Sequence, residues 1–409
     1  MTLDHLRHTE GVRLRVIVLL YIALLIGEIA WQGVAPLIPT YIDTYNLSAS
    51  EGSMMLAVAS LGILLASLPA GFMTNRVTPR HLTHASLALM IVGLAGQSIA
   101  PNYATIILAR FTFGLGFGVL WVALIAWLAD AAGDQSARVL SGSTVIAGLG
   151  GIFGPAYAGT VAHSFNLEAP VIGLSAVLIV LLILLVLDDS GTGVEKEVAP
   201  PTRELLRATH SDPDLSTMML ITIGAAVVWM TADFLVPLRL AAHGYNEAQI
   251  GVIFSIASLC FVSTSAFVSR KAEQWRKARI VATAMAGLAI CTAIPMIFIG
   301  STAAMIFLAG ATIASGVTAA LSFPFGLLAV ERGAVTVGVM SALANIIWSI
   351  SGLLGPTLGG ISTQAIGDQA AFGLLASIAL LMSFLIYRQG KAPRPAPVVP
   401  SSHNIVEQP

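Results

Sequence analysis

Three ionisable side chains interrupt otherwise apolar stretches: Glu28 in "LLIGEIAWQG", Arg110 in "IILARFTFG" and Asp233 in "VVWMTADFLVP". Charges inside a hydrocarbon layer are costly, and those that persist mark substrate or ion pathways. A buried carboxyl can take up and release a proton, which is the coupling role expected for Glu28. Arg110 can hold that carboxylate or take part in the coupling. The structural alternatives are a fixed Glu28–Arg110 pair, or an Arg110 that only bonds helix carbonyls. Asp233 suits a proton or an organic cation, or a pair with Arg239 six residues on. At about 1.5 Å per helical residue, Arg110, Asp233 and Gln32 sit about 10, 12 and 13 Å below one surface, and Glu28 about 20 Å.

Around these charges stand side chains that can line a cavity: Gln32, Asn345, Trp31, Trp121, Tyr157, Trp229, Phe323 and Trp348. Trp31 adjoins Gln32, and Trp229 lies one turn from Asp233. Several aromatics with few charges suit amphipathic or cationic organic molecules, held by stacking and cation–π attraction. Each aromatic also fits a core or lipid-facing position, and Gln32 and Asn345 fit interhelical hydrogen bonds.

The elements that carry these residues follow from composition. Of 409 residues, 56% are hydrophobic and 10% charged, where a soluble domain has about 25% charged. Mean hydropathy is +0.86. About 20 apolar residues cross a bilayer as a helix. Twelve such segments are expected, at 14–41, 51–73, 82–100, 103–129, 136–163, 169–187, 216–241, 248–269, 279–299, 302–330, 335–362 and 369–387. If they alternate in direction, 18 of the 20 Lys and Arg fall on the side of the N-terminus. Lysine and arginine enrich cytoplasmic loops, so both ends and the 188–215 connection are expected in the cytoplasm of a multi-pass inner-membrane protein. The lead "MTLDHLRHTEGVRLR" has no cleavage site and reads as no removable signal.

The connection 188–215 divides the spans six and six, giving halves at 1–187 and 216–387. Its stretch "TRELLRATH" can form a surface helix, and the proline-rich tail 388–409 has little to bury and reads as disordered. The halves look like copies. Pro155 and Pro356 lie 201 positions apart, as do Pro36 and Pro237, and "YNLSASEG" and "YNEAQIG" follow at nearly the same offset. Parallel repeats about an axis normal to the membrane are a known transporter plan. Each half also holds Gly-Pro within a span: Gly154, Pro155 and Gly159 in "GLGGIFGPAYAG", and Gly355, Pro356 and Gly359 in "SGLLGPTLGG". Small residues permit close helix contact, and proline bends a helix. The pair is expected to serve as a hinge-like surface on which the halves rock, the alternative being tight packing alone.

On these residues the chain resembles the major facilitator superfamily. The loop "GFMTNRVTPRH" is similar to the family's signature, with Gly71, Asn75, Arg76 and Arg80 at its key positions and Asn75 where an acid is usual. "RFTFGLGFG" resembles the signature of an arginine followed by spaced glycines, here Arg110, Gly114, Gly116 and Gly118. The fifth span resembles the Gly-Pro signature of the 12-helix drug:proton antiporter branch, with glycine spacing one residue off upstream. The resemblance implies an all-α membrane fold of twelve transmembrane helices in two pseudo-symmetric six-helix bundles. It also implies alternating-access transport, with an acid of the first span and Arg110 in coupling roles.

The remaining signals exclude other classes. Net charge is −1, giving no basic excess for nucleic acid. No phosphate-binding Gly-Lys-Ser/Thr loop and no metal-ligand cluster appears; no cofactor and no enzymatic activity are expected. Cys260 and Cys291 read as small core residues, and His163 and His243 as interfacial. The expected partners are a small-molecule substrate, protons and lipid, with the chain a monomer. Proton-coupled export of amphipathic or cationic compounds is the leading expectation; coupled import of a metabolite such as an organic acid is the alternative.

Overall fold

The computed structural model describes the backbone of residues 3–73, 77–188, 212–275, 277–332, 335 and 337–391. Twelve long helices dominate the described residues. In the first half they are α1 (Leu3–Gln32), α2 (Ala49–Met73), α3 (Pro79–Ser98), α4 (Tyr103–Ala132), α5 (Ser136–Ser164) and α6 (Ala169–Val186). In the second they are α7 (Pro213–Ala241), α8 (Glu247–Ser269), α9 (Ala278–Ile297), α10 (Ser301–Glu331), α11 (Val337–Ile366) and α12 (Asp368–Gln389). Ten are long and apolar enough to cross a membrane by length and composition; the other two, α3 and α11, are 20 and 30 residues long.

Local chemistry sets the helix ends. Asn102 and Asn246 close capping boxes at α4 and α8, and the Asp212 carboxylate accepts from the Asp214 and Leu215 amides at the start of α7. Each satisfies amides that the first helical turn leaves unpaired. The last residues of the expected 188–215 connection, 212–215, therefore belong to the start of the second half. "TRELLRATH", Asn75, Arg76 and the tail beyond Lys391 lie outside the described residues.

The first span departs from the expected continuous helix over 14–41. α1 stops at Gln32; a 3-10 turn, Ala35–Leu37, and a short helix, Ile38–Tyr45, follow. Pro36 and Pro39 lack the amide hydrogens that an unbroken helix needs. In α7 the helix runs through Pro237; the positions 201 beyond Gly33 and Pro39 are Phe234 and Leu240. One proline is tolerated where two prolines and a glycine are not.

Equivalent helices pack alike in both halves: α3 and α2 on α4, α9 and α8 on α10, α1 on α5, α7 on α11. Each half has its own apolar core. One is built from α1, α3, α4 and α6, around Leu20, Met90, Phe113 and Leu178. The other lies among α7–α12 and also takes in residues of the 34–55 segment, such as Ile38 and Met55. The halves meet most extensively through α2 with α11 and α5 with α8, and the 35–45 segment also touches α7 and α8. Cys260 is exposed and Cys291 half-buried, correcting the core assignment of the first. In a chain bathed in lipid an apolar run supplies the outer surface as well as the core, as Val180 and Leu380, 56% and 60% exposed, show.

Candidate functional site

Arg110 enters the interior because α4 packs against α2 with almost no gap. Arg110, Gly114 and Gly118 recur every four residues and share one face. A methyl carbon placed at Gly114 would stand 2.1 Å from the Ala59 carbonyl oxygen, and one at Gly118 2.8 Å from the Ile63 backbone. Only glycine fits this crossing, and it brings Arg110, 1% exposed, onto α2. Its Nε donates to the Met55 carbonyl at 3.0 Å, and its guanidinium lies 5.6 Å from the Phe113 ring centre. Its Nη1 is buried and has no hydrogen-bond partner among the described residues.

That side chain borders a narrow cavity between the halves. Trp31, Gln32 and Ala35 line it from α1 and the turn after it, Leu56 and Ser60 from α2, Met230 and Asp233 from α7, Gly352 and Pro356 from α11. Trp31 stacks on Phe117 with ring centres 5.9 Å apart. Trp229 is a hydrogen-bond partner of the Asp233 carboxyl and packs on Phe261 at 5.2 Å. Asp233 has no ion-pair partner among the described residues. The Asp233–Arg239 pair that the sequence left as an alternative is not formed: Arg239 binds Asp368 instead, at 2.6 and 2.7 Å, and stacks over Phe372.

Glu28 stands apart from this cavity. It is 7% exposed, sealed between α1, α4 and α5, and accepts a hydrogen bond from Trp121 Nε1 at 3.1 Å. A methyl carbon at Gly150 would stand 2.2 Å from the Glu28 Cβ. The Glu28–Arg110 ion pair considered from sequence is not present; Arg110 has no ion-pair partner among the described residues. Trp121 therefore serves Glu28 rather than the cavity. Tyr157 turns to α6, where its hydroxyl donates to the Pro170 carbonyl at 3.2 Å. Asn345, Trp348 and Phe323 are exposed and do not border the cavity. Asn345 and Trp348 do share the face of α11 that carries Gly352 and Gly355, one to two turns nearer the Lys/Arg-rich side.

The Gly-Pro helices occupy matching places. On α5, Gly154 meets the Ile29 carbonyl of α1, while Gly159 meets the Glu247 carbonyl of α8. On α11, Gly355 and Gly359 meet Val227 and Thr231 of α7, while Gly352 and Gly360 meet Ser60 and Ser53 of α2. Thr231 Oγ1 also donates to the Gly355 carbonyl at 2.9 Å. Each Gly-Pro helix is thus held between the first helix of its own half and the second helix of the other. The contacts near Gly159 and Gly360 join the halves toward the Lys/Arg-poor side. There Thr40 Oγ1 donates to Glu247 Oε1 at 2.6 Å, and His163 Nδ1 lies 3.5 Å from Glu247 Oε2. Sequence reasoning missed Glu247, which stands at a helix start and reads there as an ordinary capping-region acid.

At the opposite side, Arg80 donates to the carbonyls of Val186 and Asp188, tying the start of α3 to the end of α6. Gly71 sits in the last turn of α2. Arg332, after α10, binds Asp212 at 2.7 Å and Asp214 at 2.8 Å at the start of α7.

Residues 20–356 and 218–406 match the profile of the Major Facilitator Superfamily. The chain belongs to this family. Among curated proteins, the family member here is 25% identical to the MFS-type transporter SLC18B1 of Rattus norvegicus, over 86% of this chain and 82% of that one. It is 22% identical to the synaptic vesicular amine transporter of Bos taurus, over 84% and 67%. It is 26% identical to the 3-(3-hydroxy-phenyl)propionate transporter of Escherichia coli (strain K12), over 52% and 54%. Its fold matches the crystal structure of a bacterial homolog to human lysosomal transporter, Spinster, in an inward-facing and unoccupied conformation, with a TM-score of 0.79 at 14% identity, covering 94% of this chain and 99% of that one. The chain is a multi-pass integral membrane protein with the family and fold of membrane transporters.

Proposed function

We propose that the protein is a proton-coupled secondary transporter that exports small organic molecules bearing a cationic group, in the manner of the drug:proton antiporter branch. The observation that carries this reading is the division of charge between the halves. Asp233 borders the cavity at the interface, whereas Glu28 is sealed within the first half. A cavity carboxylate attracts a cationic substrate; a sealed carboxyl changes its proton affinity when rocking of the halves wets or dries it. The Gly-Pro helices α5 and α11, each pressed between both halves, are the surfaces on which such rocking would turn. The amine named for one relative supports a cationic substrate. A second reading, import of an organic acid, draws on the unpartnered Arg110 Nη1 and on the propionate compound named for another relative.

The test is substrate flux in proteoliposomes of known orientation under an imposed pH gradient. Cation movement opposite to the proton gradient supports export; acid movement along it supports import. Flux that ignores the gradient rejects proton coupling. We further propose that the Lys/Arg-rich side faces the cytoplasm. A cysteine at Asn102 should then react with an impermeant thiol reagent outside intact cells and one at Gly193 should not; the reverse pattern rejects the orientation.

A further inference from the structure

We infer that the cavity takes a zwitterion, a molecule carrying both an ammonium and a carboxylate, with the acid on Arg110 and the amine on Asp233. The inference rests on the reading of this cavity as the substrate site and names its substrate class. Arg110 is 1% exposed, borders the cavity, and keeps Nη1 without a partner while Nε is engaged by Met55. A guanidinium nitrogen left bare in a low-dielectric interior is costly until an acceptor reaches it, and a carboxylate is the acceptor whose geometry fits the guanidinium fork. Among the described residues Nη1 has no hydrogen-bond partner, and the acid of the same cavity, Asp233, forms no ion pair with Arg110.

Asp233 comes from the other half and stands at a similar depth along its helix. The cavity lining therefore carries a cation from one half and an anion from the other, and the two form no ion pair among the described residues. A ligand with one charge satisfies one wall and brings a net charge into the interior. A ligand with both satisfies each wall and adds no net charge. The third feature is Trp31, stacked in place by Phe117, which gives the ligand an apolar or aromatic body to lie against. Because its ends bind opposite halves, a zwitterion would also draw α4 and α7 together, so binding would favour one arrangement of the halves over another.

The test is binding to the purified full chain in detergent, read by thermal shift and then titration. The probes are matched triples: phenylalanine, leucine and 4-aminobutyrate, each with its amide, which keeps only the positive charge, and its N-acetyl derivative, which keeps only the negative. In at least one triple the zwitterion should bind about tenfold or more tightly than both partners, the loss expected on removing one charge-assisted hydrogen bond. Asp233→Asn should weaken the zwitterion and the amide about tenfold and leave the N-acetyl compound unchanged, a result that also shows the variant folded. If the amide equals the zwitterion in every triple that binds, Arg110 takes no carboxylate and the inference fails. It fails too if no triple binds, or if Asp233→Asn affects all three compounds equally. These outcomes are separate from the transport reading, which falls if ligands bind yet no flux follows.

Discussion

The two halves place their acids differently on helices that otherwise correspond. Shifted by 201 positions, Glu28 and Gln32 of α1 align with Trp229 and Asp233 of α7. In the first half the acid sits one turn deeper, sealed by α5, with a tryptophan from another helix as its donor. In the second half the deeper position is a tryptophan and the acid moves one turn outward, to the cavity wall. Under the proposed function, this near-copy would divide two tasks. The sealed carboxyl suits a proton, which is small enough to reach it; the lining carboxyl suits a ligand, which is not. The same contrast explains the neighbours. Gly150 must be glycine because Glu28 fills the space beside it, whereas the equivalent position of α11 is Ser351, fully buried.

The largest effect that would break this division is expected at Glu28. Glu28→Gln removes the titration and keeps the shape, so transport driven by a pH gradient should be abolished while substrate binding stays within about twofold. Binding by titration and flux in proteoliposomes decide it. If the variant still transports against a gradient like the parent, Glu28 is a packing residue and coupling belongs to Asp233.

Asp233→Asn comes next. Flux of cation-bearing substrates should fall about tenfold, the cost of one charge-assisted hydrogen bond, while neutral compounds are spared. Equal loss for both would make Asp233 structural and erase the contrast with Glu28.

A smaller effect is expected from packing. Gly150→Ala should lower stability by about 1–3 kcal/mol, the usual cost of overfilling a tight site, seen as a lower unfolding temperature in detergent. Gly151→Ala is its control: the nearest atoms, on Ser258, are 3.9 Å or more away. Equal behaviour of the two would mean that α1 and α5 are not pressed together at Glu28.

The smallest effect belongs to the closed face. His163, with its side chain 51% exposed, makes a long contact to Glu247, and exposed pairs contribute about 0–1 kcal/mol. His163→Ala should therefore raise thiol labelling of a cysteine at Ser53 only slightly. Thr40→Val, which removes the 2.6 Å bond to Glu247, should raise it more. The opposite order would place the closure elsewhere.

The sequence by itself determined twelve long helices, their division six and six, and the two Gly-Pro helices, because hydropathy, helix length and proline spacing act within single segments. It also singled out Glu28, Arg110 and Asp233 as charges inside apolar spans, since burial of a charge is costly wherever the helix goes. Only the tertiary structure decided their partners. Arg110 and Glu28 lie on different helices, and whether they pair depends on the rotation of α4 against α1 and α2; the Gly114 and Gly118 crossing turns Arg110 to Met55 and the cavity. Arg239 was within reach of Asp233 along the chain but finds Asp368 on α12, 129 positions on. The break after Gln32 and the bond from Thr40 to Glu247 were likewise beyond the pattern. Apolar periodicity fixes which residues avoid water; it does not say which helix stands opposite, because in lipid every helix is apolar on all sides and small contacts select the neighbour.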